Sequence, residues 1–331
     1  MGNGSVDKPL QFLIIGSGGI GAYYGARLQS AGHRVTYLAR GEQLAALQRH
    51  GLSVRHPDFN FADRVDSITG KELVSSRASG DYALALLATK SAHTEAVLAE
   101  LGNWLRAEDG PAVLSLQNGV DNEGRIADAI GLHRTIGGLA VRIGGHVVSP
   151  GVIEARGPGQ VILGAWPTAE DNPAAQTGLP DIVEIFCRAG IPTSLTEDIR
   201  FELWKKLMIN NGVNPLSVLT ESDTRMLSND PVFGPNAYRM MQETAVAAAA
   251  DGVSLGQADV DAMFELIRNF DPIKTSMLVD FEKGRPLEID EIAGAVVERC
   301  RAAGREAPVT ELVMALVRQK VARRDELASR V

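Results

Sequence analysis

The sequence predicts an α/β fold, a doubly wound parallel β-sheet followed by an all-helical second domain. Three observations carry this. Apolar runs of strand length alternate with helix-forming stretches through the first part of the chain. A Gly16-Ser17-Gly18-Gly19-Ile20-Gly21 turn separates the first such run from the first helix. After Asp198 the strand-like runs stop, and long stretches with helical spacing take over.

Residues 10–15, LQFLII, form a continuous apolar run with β-branched content. Ala22 to Ala31 carries helix formers and ends at Gly32, a suitable helix stop, and His33 to Ala39 is the next strand. Strand, glycine turn, helix and strand in so short a span make a βαβ unit. Tyr82–Thr89, Ala112–Leu116 and Thr135–Ile143 continue the strands, with helical stretches at Ala92–Leu105 and Asp121–Ile130 between them. Residues 145–165, rich in Gly, Val and Ile with Pro150, read as short strands that finish the domain. Strands that are apolar throughout imply a sheet covered on both faces. Beyond Asp198, helices are predicted at about 198–212, 230–251, 257–269, 272–283, 288–303 and 308–327. Turn signals at Asn214-Pro215, Asp251-Gly252, Gly284-Arg285-Pro286 and Gly304 separate them. The expected domains are residues 1–196 and 197–331, and two domains with a short connection leave a cleft, a common position for a ligand site.

Composition narrows the class. The 331 residues carry 33 Lys and Arg against 41 Asp and Glu, a net charge of −8, and 45% are hydrophobic. That is enough apolar material for a large core, so disorder is excluded as the main state. The acidic balance argues against a nucleic-acid partner, because phosphate backbones select basic surfaces. Cys187 and Cys300 are too few for a disulfide framework or a Cys-rich zinc site, and read as two buried thiols in a reducing compartment. No apolar run approaches the length of a membrane span, and the polar N-terminus has no signal-peptide stretch. The Met1-Gly2 start does not fit a myristoylation site, because position six is Val6. A cytoplasmic protein with no membrane partner is expected. No metal-binding spacing occurs, so no metal is expected.

Gly16, Gly18 and Gly21 form G-x-G-x-x-G after a strand and before a helix, the context that gives this motif its meaning. The first glycine allows the tight turn, the second lets the backbone approach a pyrophosphate, and the third lets the helix pack on the strand. The helix N-terminus then offers free N–H groups to phosphates. Ser17, Gly19 and Ile20 complete this cofactor segment. At the end of the second strand an NAD site places Asp or Glu on the ribose 2′-hydroxyl, whereas this chain has Ala39-Arg40-Gly41. Arg40 reads either as a solvated surface residue or as a partner for a 2′-phosphate, and the missing carboxylate favours the phosphate and hence NADPH/NADP+.

Reduction of a carbonyl by a nicotinamide also needs a proton donor. The six histidines all lie at or before His146, and none of the five tyrosines has Lys four residues on. The second half therefore offers no imidazole. It offers Glu202, Lys206, Asn210 and Asn214, spaced by four on one predicted helix face. This stripe reads either as a solvated edge with a Glu–Lys pair, or as an amine donor with amides that orient a polar substrate. Glu288 and Ser276 likewise read either as a helix-start charge and a surface hydroxyl or as parts of the same site. The helix beginning at Glu288 is predicted to hold that carboxylate in its first turn.

Further blocks join these: Ala88-Thr89-Lys90, Leu116-Gln117-Asn118-Gly119-Val120, Glu202-Leu203-Trp204-Lys205-Lys206-Leu207 through Asn214-Pro215, Ser276-Met277 with Asp280, and Glu288-Ile289-Asp290 with Gly294. Together, from about Phe12 to Leu316, they resemble the 2-dehydropantoate 2-reductases, or ketopantoate reductases. The resemblance implies NADPH-dependent reduction of 2-dehydropantoate to (R)-pantoate, a step towards pantothenate and coenzyme A. It implies a Rossmann domain and a helical domain like that of 6-phosphogluconate dehydrogenase, with hydride transfer in the cleft between them. Lys206 would be the general acid and Glu288 would hold it and the substrate in register. Asn210 and Asn214 would bind substrate hydroxyls, Ser276 the carboxylate, and Asn118 both substrate and nicotinamide. Lys90, Arg40 and the glycine segment would hold the coenzyme. Some family members carry Asn three residues before the serine, where this chain has Ile273, with Lys274 as an alternative carboxylate partner. The same pattern covers reductases of other 2-keto acids, and a non-catalytic NADP-binding regulator is the remaining alternative. A homodimer through the helical domain stays open.

Overall fold

The computed structural model describes residues 8–269 and 271–328. The N-terminal start, through Val6, lies outside them. The chain divides into two compact units, one of residues up to Gln117 with Asp121–Ile199, the other of Asn118–Val120 with Arg200 onward. The division falls inside the first turn of a helix that begins at Ile199.

The first unit holds twelve described strands: β1 Gln11–Ile15, β2 Arg34–Leu38, β3 Leu52–His56, β4 Phe59–Asp63, β5 Asp66–Ile68, β6 Leu84–Leu87, β7 Ala112–Ser115, β8 Thr135–Val141, β9 Gly144–Ser149, β10 Val152–Arg156, β11 Gln160–Ala165 and β12 Thr193–Leu195. Its helices are α1 Gly19–Ser30, α2 Gly41–His50, α3 Gly70–Ser76, α4 Thr94–Arg106, α5 Asn122–Ile130 and α6 Pro173–Arg188. Eight strands form one sheet in the order β12-β11-β8-β7-β6-β1-β2-β5. All its pairs are parallel except β8 with β11, so the expected parallel sheet carries one reversed strand pair. Residues 145–165 do not all join it. β9 and β10 leave to form a second sheet, β4-β3-β10-β9, and only β11 returns.

The double cover follows from the period of two. Phe12 and Ile14 enter a core with Tyr23, Tyr24, Leu28 and Phe186, while Leu13 and Ile15 enter another with Leu73, Leu98, Leu101 and Trp104. Cys187 is exposed and Cys300 buried, so the expectation of two buried thiols holds for one of them. Cys187 sits on the outer face of the amphipathic α6. Burial pushes the Cys300 thiol pKa up, and the nearby Glu243 adds to this.

The second unit is helical: α7 Ile199–Thr220, α8 Thr224–Asn229, α9 Phe233–Ala250, α10 Gln257–Asn269, α11 Ser276–Glu282, α12 Ala295–Ala302 and α13 Pro308–Ala328, with a π-helical turn at Asp290–Gly294 leading into α12. Asn214-Pro215 does not end α7, as its turn chemistry predicts. Pro215 removes one donor at a cost of about 3 kcal/mol. Val213, Leu216 and Val218 are buried around it, and at about 1.5–3 kcal/mol per aliphatic side chain their burial outweighs that loss. α7 also lies close to α9: a β-carbon at Gly212 would sit 2.9 Å from Met241 Cγ and 3.2 Å from the Ala237 carbonyl oxygen. The neighbouring Asn211 is fully buried and donates to Thr244 Oγ1 at 3.0 Å and Thr310 Oγ1 at 3.1 Å, tying α7 to α9 and α13.

Two features generate tests. Glu243, on α9 and 6% exposed, accepts from Val309 N at 3.0 Å and Thr310 N at 2.8 Å, capping the start of α13. Glu243→Ala should lower stability by about 2–3 kcal/mol in urea denaturation, because a buried and a half-buried N–H donor lose a charged acceptor. His33 Nδ1 accepts from Leu10 N at 3.3 Å, and burial holds the imidazole pKa below its ordinary value. Its contribution is present above about pH 6.5, where both states are neutral, and is lost as pH falls, since the unfolded chain takes the proton first. Thermal melts should therefore drop on acidification below about pH 6.5, and more shallowly in His33→Gln.

Candidate active site

In an open parallel sheet, ligands lie outside the carboxyl ends of the strands where the strand order reverses, here at β1 and β6. The segments following β1, β2, β6 and β7 are Gly16–Gly21, Ala39-Arg40, Thr89-Lys90 and Leu116-Gln117.

The glycine turn divides its labour. Gly16 has φ +104, and a β-carbon there would sit 2.7 Å from Thr89 Cγ2. A β-carbon on Gly21 would clash with the Gly16 carbonyl oxygen, so α1 can pack on β1 only with glycine there. Gly18 alone of the three faces open space. It caps α1 with no side-chain hydrogen bond, and no acidic residue lies in the first turn. Those uncapped N–H groups beside an unfilled Cβ position suit a pyrophosphate. Gly19 does something else. It lies against Gly145 on β9, so this glycine seats α1 on the second sheet. Ile20 packs against the core, and Ser17 is buried, its hydroxyl donating to the Leu38 carbonyl at 2.9 Å.

Arg40 precedes α2, and no carboxylate stands at the end of β2. The guanidinium is 65% exposed, which suits a phosphate partner, but it pairs with Glu100 of α4. Lys90 is exposed after β6, its carbonyl accepting from His93 N at 2.9 Å. The surrounding loops are braced by Gln117, whose amide donates to the Thr89 carbonyl at 2.9 Å and to Thr94 Oγ1 at 2.9 Å, while Thr94 Oγ1 donates to Asn122 Oδ1 at 2.9 Å. Glu100 and Thr94 carry no motif, and no sequence signal singles them out; Gln117 lies in the Leu116–Val120 block, but its bracing role has no signal of its own.

In the helical unit, Asn118 Nδ2 donates to Glu288 Oε2 at 3.0 Å, joining residues 170 positions apart. Glu288 is 7% exposed, so this buried carboxylate needs such donors. It lies just ahead of the helical residues, which begin at Ile289, rather than in the first turn. Lys206, Asn210 and Asn214 share the unbroken α7. Each step of four turns about 40° further round the helix, so the stripe drifts inward. Lys206 and Asn210 are half-buried and Asn214 is 4% exposed. Among the described residues, nothing hydrogen-bonds the carboxamides of Asn210 or Asn214. Glu202 pairs with Lys205 at 3.6 Å rather than with Lys206.

Ser276 is exposed at the start of α11, where Thr275 is the cap, accepting from Leu278 N at 3.1 Å. Thr275 Oγ1 also lies 2.6 Å from Ser217 Oγ, and Ser217 donates to the Asn214 carbonyl at 2.7 Å. The start of α11 is thereby tied to the Asn214 turn of α7, which spacing did not indicate. Lys274 pairs with Glu282 at 2.6 Å and is already neutralised.

Residues 12–168 match the model of Ketopantoate reductase PanE/ApbA, and residues 198–321 that of its C-terminal part. A 2-dehydropantoate 2-reductase of Mesorhizobium japonicum is 31% identical over 94% of this chain and 97% of its own. The chain belongs to the ketopantoate reductase family. This is a family of oxidoreductases. The crystal structure of a 2-dehydropantoate 2-reductase from Geobacter metallireducens superposes with a TM-score of 0.81 at 29% identity, covering 94% of this chain and 100% of that one. A D-mandelate dehydrogenase solved with NADH and anilino(oxo)acetate shares the fold at TM-score 0.85 and 21% identity, covering 95% of this chain and 99% of its own. No described helix is long and apolar enough to cross a membrane.

The glycine geometry sets a contrast within the family motif. Gly21→Ala should lower the thermal midpoint by several degrees, because its β-carbon meets backbone. Gly18→Ala should leave the midpoint within about 1 °C, as expected for a site away from packing.

Proposed function

We propose that this ketopantoate reductase family member reduces 2-dehydropantoate to (R)-pantoate with NADPH, with Lys206 as general acid. The observation that carries the reading is one helix, α7, presenting a half-buried lysine and two carboxamides that nothing among the described residues hydrogen-bonds, in the same unit in which Asn118 donates to the buried Glu288. The names of the relatives support the substrate.

NADPH when bound supplies the hydride that goes to the keto carbon. The Lys206 ammonium gives its proton to the ketone oxygen as that oxygen gains charge, so the product is the neutral secondary alcohol. Its partial burial keeps the ammonium near the reacting group with little competing water. Glu288 balances the ammonium and, through the Asn118 amide, keeps the 118–120 turn in place. The Asn210 and Asn214 carboxamides bond substrate hydroxyls, and Ser276 donates to the substrate carboxylate. Gly16, Ser17, Gly18 and Gly21 with the α1 N-terminus hold the pyrophosphate, and Arg40 the 2′-phosphate. Lys90 and Asn118 take the places beside the coenzyme that the family pattern gives them.

A second reading, a reductase of another 2-keto acid, is favoured by the shared fold with the D-mandelate dehydrogenase. An apolar pocket separates substrates by only about 1–3 kcal/mol per methylene, so the scaffold does not select the side chain. The two readings part on kcat/KM for 2-dehydropantoate, 2-ketoisovalerate, pyruvate and oxaloacetate, where 2-dehydropantoate should lead. Lys206→Ala should lower kcat by about 10²–10⁴; a variant within about threefold of the parent would remove Lys206 from the mechanism.

A further inference from the structure

The proposed NADPH site contains a carboxylate that the coenzyme reading does not use. Arg40 Nη2 pairs with Glu100 Oε2, across 60 positions of sequence. The arginine side chain is 65% exposed and the glutamate 21%, so the carboxylate is the more confined partner. Its seat is built. Glu100 Oε1 lies 2.6 Å from where a β-carbon on Gly70 would stand, so the carboxylate occupies room that only glycine leaves. The next residue, Leu101, is buried in the core under the sheet and anchors that turn of α4.

We infer that Glu100 is a coenzyme-specificity residue, which competes with the 2′-phosphate of NADPH for Arg40 and so limits the preference for NADPH over NADH. This rests on the assignment of Arg40 to the 2′-phosphate. A guanidinium fork held by a carboxylate must give up that partner or share it with the phosphate, and sharing sets two anions side by side. NADH has a neutral 2′-hydroxyl there, which feels no such repulsion. A carboxylate is also the group that NAD sites use to accept from that hydroxyl. The end of β2 lacks one, and α4 brings one to the same arginine.

The test is equilibrium binding to the purified chain without keto acid, followed by fluorescence titration with NADPH and with NADH, and by calorimetry with 2′-AMP. Glu100→Gln keeps the shape and removes the charge. It should tighten NADPH and 2′-AMP roughly two- to fivefold and leave NADH equal or weaker, the scale of a partly exposed ion pair. The gain should shrink as salt is raised. In an Arg40→Ala background the same change should alter NADPH binding no more than NADH binding. A ratio of NADPH to NADH affinity that stays put or moves towards NADH in Glu100→Gln overturns the inference, provided Arg40→Ala lowers that ratio. If Arg40→Ala leaves the ratio unchanged, the assignment of Arg40 itself is wrong. Glu100→Ala, checked for an unaltered thermal transition, separates a loss of charge from a disturbed α4.

Discussion

A missing side chain sets the spacing of the helical unit. At Gly212, α7 meets α9 so closely that any β-carbon would press on Met241 and the Ala237 carbonyl. From that approach much else follows. Asn211, the next residue on the helix, reaches α9 and α13 together, and Glu243 on α9 caps the start of α13. Because α7 is clamped on this side, its other side can carry Lys206, Asn210 and Asn214 without the helix turning or ending at Pro215. Polar groups are costly in a helix interior unless something else holds the helix, and here the α7–α9 contact does so.

Charge is used locally. A chain of net charge −8 repels an anionic coenzyme and an anionic substrate at long range, so any attraction must come from individual cations at short range. Several candidate cations are engaged with carboxylates: Arg40 with Glu100, Lys205 with Glu202, Lys274 with Glu282. Two buried carboxylates are in turn met by N–H donors, Glu288 by an amide and Glu243 by two backbone groups. The cost of desolvating a carboxylate favours such donors.

Much of the architecture was legible in the chain, for reasons that differ by element. β1, β6 and β7 are buried on both faces, so their sequences are uninterrupted apolar runs, and the glycine turn after β1 has a fixed spacing. β3, β4 and β5 were not legible: LSVRH and FNFAD are short and half polar, as suits a small sheet open on one side, and DSI is a three-residue strand at the edge of the large sheet. Pro215 misled for the opposite reason: its local chemistry ends a helix, and burial of its neighbours overrode it. In the site, the spacing of four placed Lys206, Asn210 and Asn214 correctly on one helix, whereas the partner of Glu202 was one residue away from the expected lysine.

The sequence by itself determined the order of elements, the glycine turn and the helical stripe, since each depends on residues close in the chain and on periods of two or 3.6. Only the tertiary structure decided which polar groups meet. Asn118 with Glu288, Arg40 with Glu100, and Thr275 with Ser217 and the Asn214 carbonyl lie far apart in sequence, and no local period records them. It also decided that Gly18 faces open space while Gly19 and Gly21 are filled by neighbouring backbone, because only packing tells a glycine with room around it from one kept for a close approach.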